Sequence, residues 1–149
     1  MAATLLAAAR REPERARELA EELLALARTH QLGLYVVLSS IPLGWARTLL
    51  ATGDADRDAA VAEARQAYAV YARSGAGTFT PLMATLLAEA ELAAGHPDAS
   101  RETAAAGVAA AERTDVRLWW SRLSALAAPP ERTGPNDSSG SPARATAPG

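Results

Sequence analysis

The chain has 149 residues, with 15 Lys plus Arg against 17 Asp plus Glu for a net charge of −2, and that is the size of one ordinary domain. Every one of the 15 is Arg, 38 positions are Ala, Cys is absent and aromatic residues make up 5%. This excludes disulfides, thiolate chemistry and cysteine-zinc cages, leaves no clustered positive charge for nucleic acid, and gives no room for a large enzyme.

Met1 to Ala9 is apolar without a positive charge ahead of it, unlike a secretory leader or a transit peptide. No stretch reaches the roughly 18 uninterrupted apolar residues of a membrane span. The expectation is a soluble, cytoplasmic protein with no membrane partner. Ala2 to Arg10 reads as the second half of a first helix, so the chain resembles a truncated or free-standing piece of a longer array. A terminal repeat without a polar cap leaves an apolar first face, and that face offers a route to a homodimer.

Glu14 to Thr29 is amphipathic, with Leu19, Leu23, Leu26 and Ala27 on one side. Leu34 to Thr52 follows, and within it Pro42 removes a backbone donor and crowds the preceding turn. A kink or short break is therefore expected at residues 39–42, with Ser39 and Ser40 capping a fresh start. Gly53 to Asp56 makes a turn. Arg57 to Arg73 comes next, with Ala60, Ala64, Tyr68 and Tyr71 spaced for one face. Thr80-Pro81 opens a helix over Pro81 to Ala94, since Thr caps and Pro suits the first helical position. Gly95-His96-Pro97-Asp98 stops it and starts Asp98 to Arg113. A last helix near Val116 to Ala127 puts Trp119, Leu123 and Leu126 on one face.

These signals repeat. A shift of 42 residues pairs Gly53 with Gly95 and Ala20 with Ala62 and Ala104; twice that pairs Pro13 with Pro97. A period near 42 belongs to helical arrays whose repeats bury an apolar face on their neighbours. The predicted fold is all-α, a helix-pair solenoid of about six helices over residues 1–128, which the family resemblance below makes tetratricopeptide-like. Residues 129–149, rich in Pro, Gly, Ser and Thr, cannot bury enough surface to offset ordering and are expected as a disordered tail.

Candidate chemistry is sparse. His30 and His96, the two histidines, are 66 residues apart at helix ends, which suits dipole capping and not a site of three or four convergent metal ligands. Ser39 and Ser40 lack a nucleophile elbow. Glu89 and Glu91 are two apart on a helix, so they form no catalytic pair and are expected on solvated surface. No metal, cofactor or catalytic residue is predicted. Trp45 is expected between helices, with Gly44 permitting close approach. Trp119 and Trp120 point about 100° apart, so one of them, Trp120, is a candidate contact residue. If the first helix of each pair lines a concave groove, Tyr35, Arg47, Thr85 and Glu89 would contact a partner; Arg47 and Glu89 are 42 apart and equivalent in the repeat.

His30-Gln31-Leu32-Gly33-Leu34-Tyr35, Leu43-Gly44-Trp45-Ala46, Gly53, and Pro81 followed by Leu86-Leu87-Ala88-Glu89-Ala90 and Gly95 resemble the tetratricopeptide-like C-terminal region of large bacterial ATPase regulators. Some of those regulators carry an adenylate or guanylate cyclase domain. The similarity spans roughly residues 6 to 127, departing at Pro42 and at Gly33, where the family commonly has Pro. The resemblance implies a partner-docking array, and the chain has no phosphate-cradling Gly-Lys-Ser or Gly-Lys-Thr loop, indeed no Lys. The expected function is non-catalytic binding of a protein partner or regulatory domain. The alternative is a sensor that binds a small effector and signals to an ATPase or transcriptional regulator on another chain.

Overall fold

The described residues form seven helices, four of which open on a proline or an acid. The computed structural model describes residues 1–75, 77–114 and 118–129. The helices are α1 (Ala2–Ala9), α2 (Pro13–Thr29), α3 (Gly33–Leu50), α4 (Asp54–Arg73), α5 (Thr80–Ala93), α6 (Pro97–Thr114) and α7 (Trp120–Ala127); the described residues include no strand. The all-helical expectation holds, with one helix more than anticipated, because Ala2–Ala9 is a helix in its own right. The expected start at Val116, and all of the expected tail but Pro129, lie outside the described residues.

Pro13, Pro81 and Pro97 each fall in a first helical turn, where the missing N–H costs nothing. Glu14, Asp54 with Asp56, and Asp98 sit in first turns, while Arg28, Arg47, Arg73 and Arg113 sit in last turns, matching the helix dipole. Three helices end alike. At Arg11, Gln31 and Gly95 the backbone turns left-handed, with φ of 63°, 55° and 80°. In each case that residue and the next donate back to the last turn, as Glu12 N to Ala7 O at 3.0 Å, Leu32 N to Ala27 O at 2.8 Å and His96 N to Glu91 O at 2.9 Å. Helices α2, α4 and α6 begin at 13, 54 and 97, so the period near 42 is present in the helix starts.

The odd-numbered helices form a row in which α1 touches α3, α3 touches α5 and α5 touches α7. Each even-numbered helix packs against the odd ones before and after it. The middle of the row is the most enclosed. Every residue of α5 from Pro81 to Glu91 is buried, as expected of a helix that is apolar nearly all round. The main core joins Leu5, Leu38, Ile41, Trp45, Val61, Tyr71, Leu82, Met83 and Leu86, and a smaller one joins Ala84, Ala88, Ala104 and Leu123. Trp119 packs against both.

Three expectations need correction. The helix around Pro42 is not broken: α3 runs from Gly33 to Leu50 with Pro42 buried inside it. Ser39 and Ser40 cap nothing; their hydroxyls donate backwards, Ser39 to Tyr35 O at 2.7 Å and Ser40 to Val36 O at 2.7 Å. In α2 the buried stripe is Ala16, Ala20, Leu24 and Ala27, whereas Leu26 is 58% exposed and Leu19 and Leu23 are half-buried. Small residues at the seam bring α2 close to its neighbours, and the larger leucines flank it. Finally, α3 is long and apolar enough to cross a membrane by length and composition, with a mean hydropathy of 1.2 over 18 residues. Here it is the helix against which α1, α2, α4 and α5 pack.

Candidate functional site

Glu89 is the centre of the interior polar network. Its carboxylate accepts from Arg11 Nη1 at 2.8 Å and from Trp45 Nε1 at 3.0 Å, and it is also bonded by Arg11 Nη2 and Arg122 Nε. Four parts of the chain meet at one acid: the α1–α2 turn, α3, α5 and α7. Glu89 is only 8% exposed, while the two arginines keep 40% and 44% of their side chains in solvent. Burial pushes the Glu89 carboxyl above its ordinary range; the Arg11 charge and the bonds from Arg11 and Trp45 pull it back. Arg11 makes its bonds from a left-handed backbone conformation, which costs a non-glycine residue on the order of 1–2 kcal/mol. The position 84 residues later is Gly95.

Glu91 is a second buried acid. Arg65 Nε donates to its Oε1 at 2.7 Å, while its Oε2 has no hydrogen-bond partner. Tyr68 lies close by, and burial, then the Tyr71 and Glu91 charges, push its phenol above the ordinary value of 10.0. Neither glutamate occupies the solvated surface expected for it.

Two hollows of about 350 Å³ each lie along α3 between α2 and α4. Leu24, Val36, Ser40, Leu43, Gln66 and Val70 help line one; Arg17, Leu50, Asp56 and Ala59 help line the other. Arg47 and Glu63 line both. Arg47 spans the groove, reaching Glu21 on α2 at 3.2 Å and Glu63 on α4 at 3.4 Å. A third hollow, about 370 Å³, is walled by Leu5, Leu6, Phe79, Pro81, Leu82, Leu118 and Trp119, with Thr78 at its edge. It lies between α1, the start of α5 and the approach to α7.

The five residues expected to contact a partner do not form one surface. Arg47 is exposed within the α3 groove; Tyr35 is 42% and Trp120 37% exposed. Thr85 is 1% exposed and donates to Pro81 O at 2.8 Å, so it is interior and reaches no partner from there. Glu89 is equivalent to Arg47 in the sequence repeat, yet it is enclosed, because α7 and the α1–α2 turn close over α5. Trp45 is fully buried, as expected between helices. His30 ends α2 and His96 bonds Asp58 on α4 at 3.1 Å. Among the described residues no three His, Asp or Glu are grouped to hold a metal. Sequence reasoning missed Arg11 and Arg122. The signal for Arg11 was present, since a shift of 42 sets it against Gly53 and Gly95, where an arginine is out of place. No family model, curated protein or solved structure matches the chain.

Proposed function

We propose that the chain is a non-catalytic docking module, a short tetratricopeptide-like array of helix pairs that holds a protein partner or a regulatory domain. The observation that carries this reading is the groove along α3, open between α2 and α4 with Arg47 across its middle. Its walls mix apolar floor with ionised rim, the pattern of a surface that reads a peptide by a few anchors. The loose Arg47 pairs, both half-exposed, are worth little to stability and exchange readily for a partner's carboxylate. The resemblance to the helical region of bacterial ATPase regulators supports the same reading. So does the use of the buried acids, since Glu89 and Glu91 are both engaged by arginines that brace the packing.

The test is capture of a partner, followed by reconstitution with the purified pair. Binding should fall about tenfold or more with Arg47→Glu, the effect of reversing a charge in a contact, and stay unchanged with Glu102→Gln on the far helix α6. Equal binding by Arg47→Glu, or no partner that survives reconstitution, overturns it. A second copy is one partner of this kind: Ala2, Ala3, Leu6 and Ala9 give α1 an apolar exposed face, and light scattering across a concentration series reads it directly.

A further inference from the structure

The two hollows along α3 share Arg47 and Glu63, yet they differ in charge. The one nearer the end of α3 adds Arg17 and Asp56 to that pair, so its ionised side chains balance. The one nearer the start of α3 adds Arg28 and no second acid. Its lining therefore carries one positive charge in excess.

Arg28 has no acid on its own helix face. Leu24 and Ala25 precede it by one turn, and Gln31 and Leu32 follow. Other exposed arginines find a carboxylate three residues away, as Arg15 does in Glu18, Arg57 in Asp54 and Arg101 in Asp98. Among the described residues Arg28 makes no hydrogen bond or ion pair, and across the hollow Glu63 is already engaged by Arg47. The floor beside it is apolar, made by Leu24, Val36, Leu43 and Val70, the last 40% exposed.

The groove also limits the shape of what it can hold. One guanidinium, that of Arg47, bridges Glu21 and Glu63 on opposite walls, so the mouth there is narrower than the roughly 10 Å of a helix with its side chains. An extended chain fits. Glu21, which holds one arm of Arg47, stands seven residues before Arg28, two turns and about 10 Å along α2, with Leu24 between them. In a strand, alternate residues share a face about 7 Å apart, so two acids flanking one aliphatic residue in that register come within reach of both flexible arginines.

We propose that this half of the groove takes an extended acidic segment of a partner. An aliphatic side chain enters the hollow, and the second residue on each side of it is Asp or Glu, one carboxylate on Arg28 and the other on Arg47. The inference rests on the docking reading and narrows it to one partner chemistry.

Titration calorimetry on the intact chain tests it with the end-blocked peptide Gly-Asp-Thr-Leu-Thr-Asp-Gly and its counterparts in which both Asp are replaced by Asn or by Lys. The Asp peptide should bind at least about tenfold tighter than the Asn peptide, as charge-assisted hydrogen bonds allow, and the Lys peptide more weakly than either. The preference should shrink as salt is raised. Arg28→Gln should remove most of it while leaving the Asn peptide unchanged, and Gln66→Trp, which fills the hollow from its exposed α4 wall, should weaken the Asp and Asn peptides alike. Equal affinity for the Asp and Asn peptides, no binding of the Asp peptide at about 1 mM, or a preference untouched by Arg28→Gln overturns the proposal. So does light scattering that shows a dimer lost on Gln66→Trp, which would seat a second copy in the groove. The docking reading fails separately: a captured partner that is lost with Arg47→Glu but kept in full with Arg28→Gln leaves that reading standing and removes only this one.

Discussion

Gly44 and Ala64 set how closely α3 and α4 pack: a Cβ on the glycine would stand 2.7 Å from the alanine methyl and 2.9 Å from the Ala60 carbonyl oxygen. Backbone cannot yield as a flexible side chain does. Gly44→Ala should therefore cost about 1–3 kcal/mol of overpacking, outweighing the roughly 1 kcal/mol that alanine gains in a helix. Gly33→Ala, where a Cβ meets nothing within 4 Å, should be neutral or stabilising. Urea denaturation of the two variants checks the contrast, and equal midpoints would contradict the close approach.

Arg11 separates backbone strain from side-chain bonding. Arg11→Ala and Arg11→Gly both lose the pair with Glu89, but only alanine must hold φ near 63°. Arg11→Gly should be the more stable by about 1 kcal/mol once the greater freedom of unfolded glycine is counted. Both should lie below the unaltered chain.

On α2, Leu24→Ala should cost about 2–4 kcal/mol, as for a buried leucine. Leu26→Ala, at a position 58% exposed, should cost less than about 0.5 kcal/mol. Thermal unfolding distinguishes this from the reverse order, which the leucine pattern alone predicts.

Tyr68 carries the alkaline pH dependence. Its phenol is raised above 10.0, first by burial, so the folded state favours the neutral form. The stability this contributes is fully present below pH 10 and is lost as pH rises through the folded value. Tyr68→Phe should therefore flatten the fall in stability above pH 10, with the difference from the unaltered chain constant below it. With neither Lys nor Cys in the chain, few other side chains titrate in that window.

The helices were legible because their ends are chemical. Pro81, Pro97 and Gly95 act within three residues of themselves, and the structure uses each where the sequence puts it. The faces were less legible. In α2 the apolar spacing pointed to Leu19, Leu23, Leu26 and Ala27; Ala27 is buried as expected, but close packing chose Ala16, Ala20 and Leu24 beside it, and an alanine-rich chain carries little hydrophobic contrast to reveal that. Pro42 does not break α3, for a related reason: the penalty it imposes is local, while the burial that keeps the helix continuous past it comes from four other helices. Glu89 was least legible. Its partners are 78, 44 and 33 residues away, and only the closure of both ends over α5 turns a surface-looking acid into an interior one.

That closure changes what kind of folding unit the chain is. In an open array each repeat touches only its neighbours, so segments melt and reform piecemeal. Here the turn after the first helix and the seventh helix are tied to the same carboxylate on α5, itself without a solvent face from Pro81 to Glu91. Either end that peels away takes with it one of the two guanidiniums on a carboxylate that is only 8% exposed. The molecule should behave as a ring fastened at one clasp, with all seven helices exchanging their amide protons through a single shared opening.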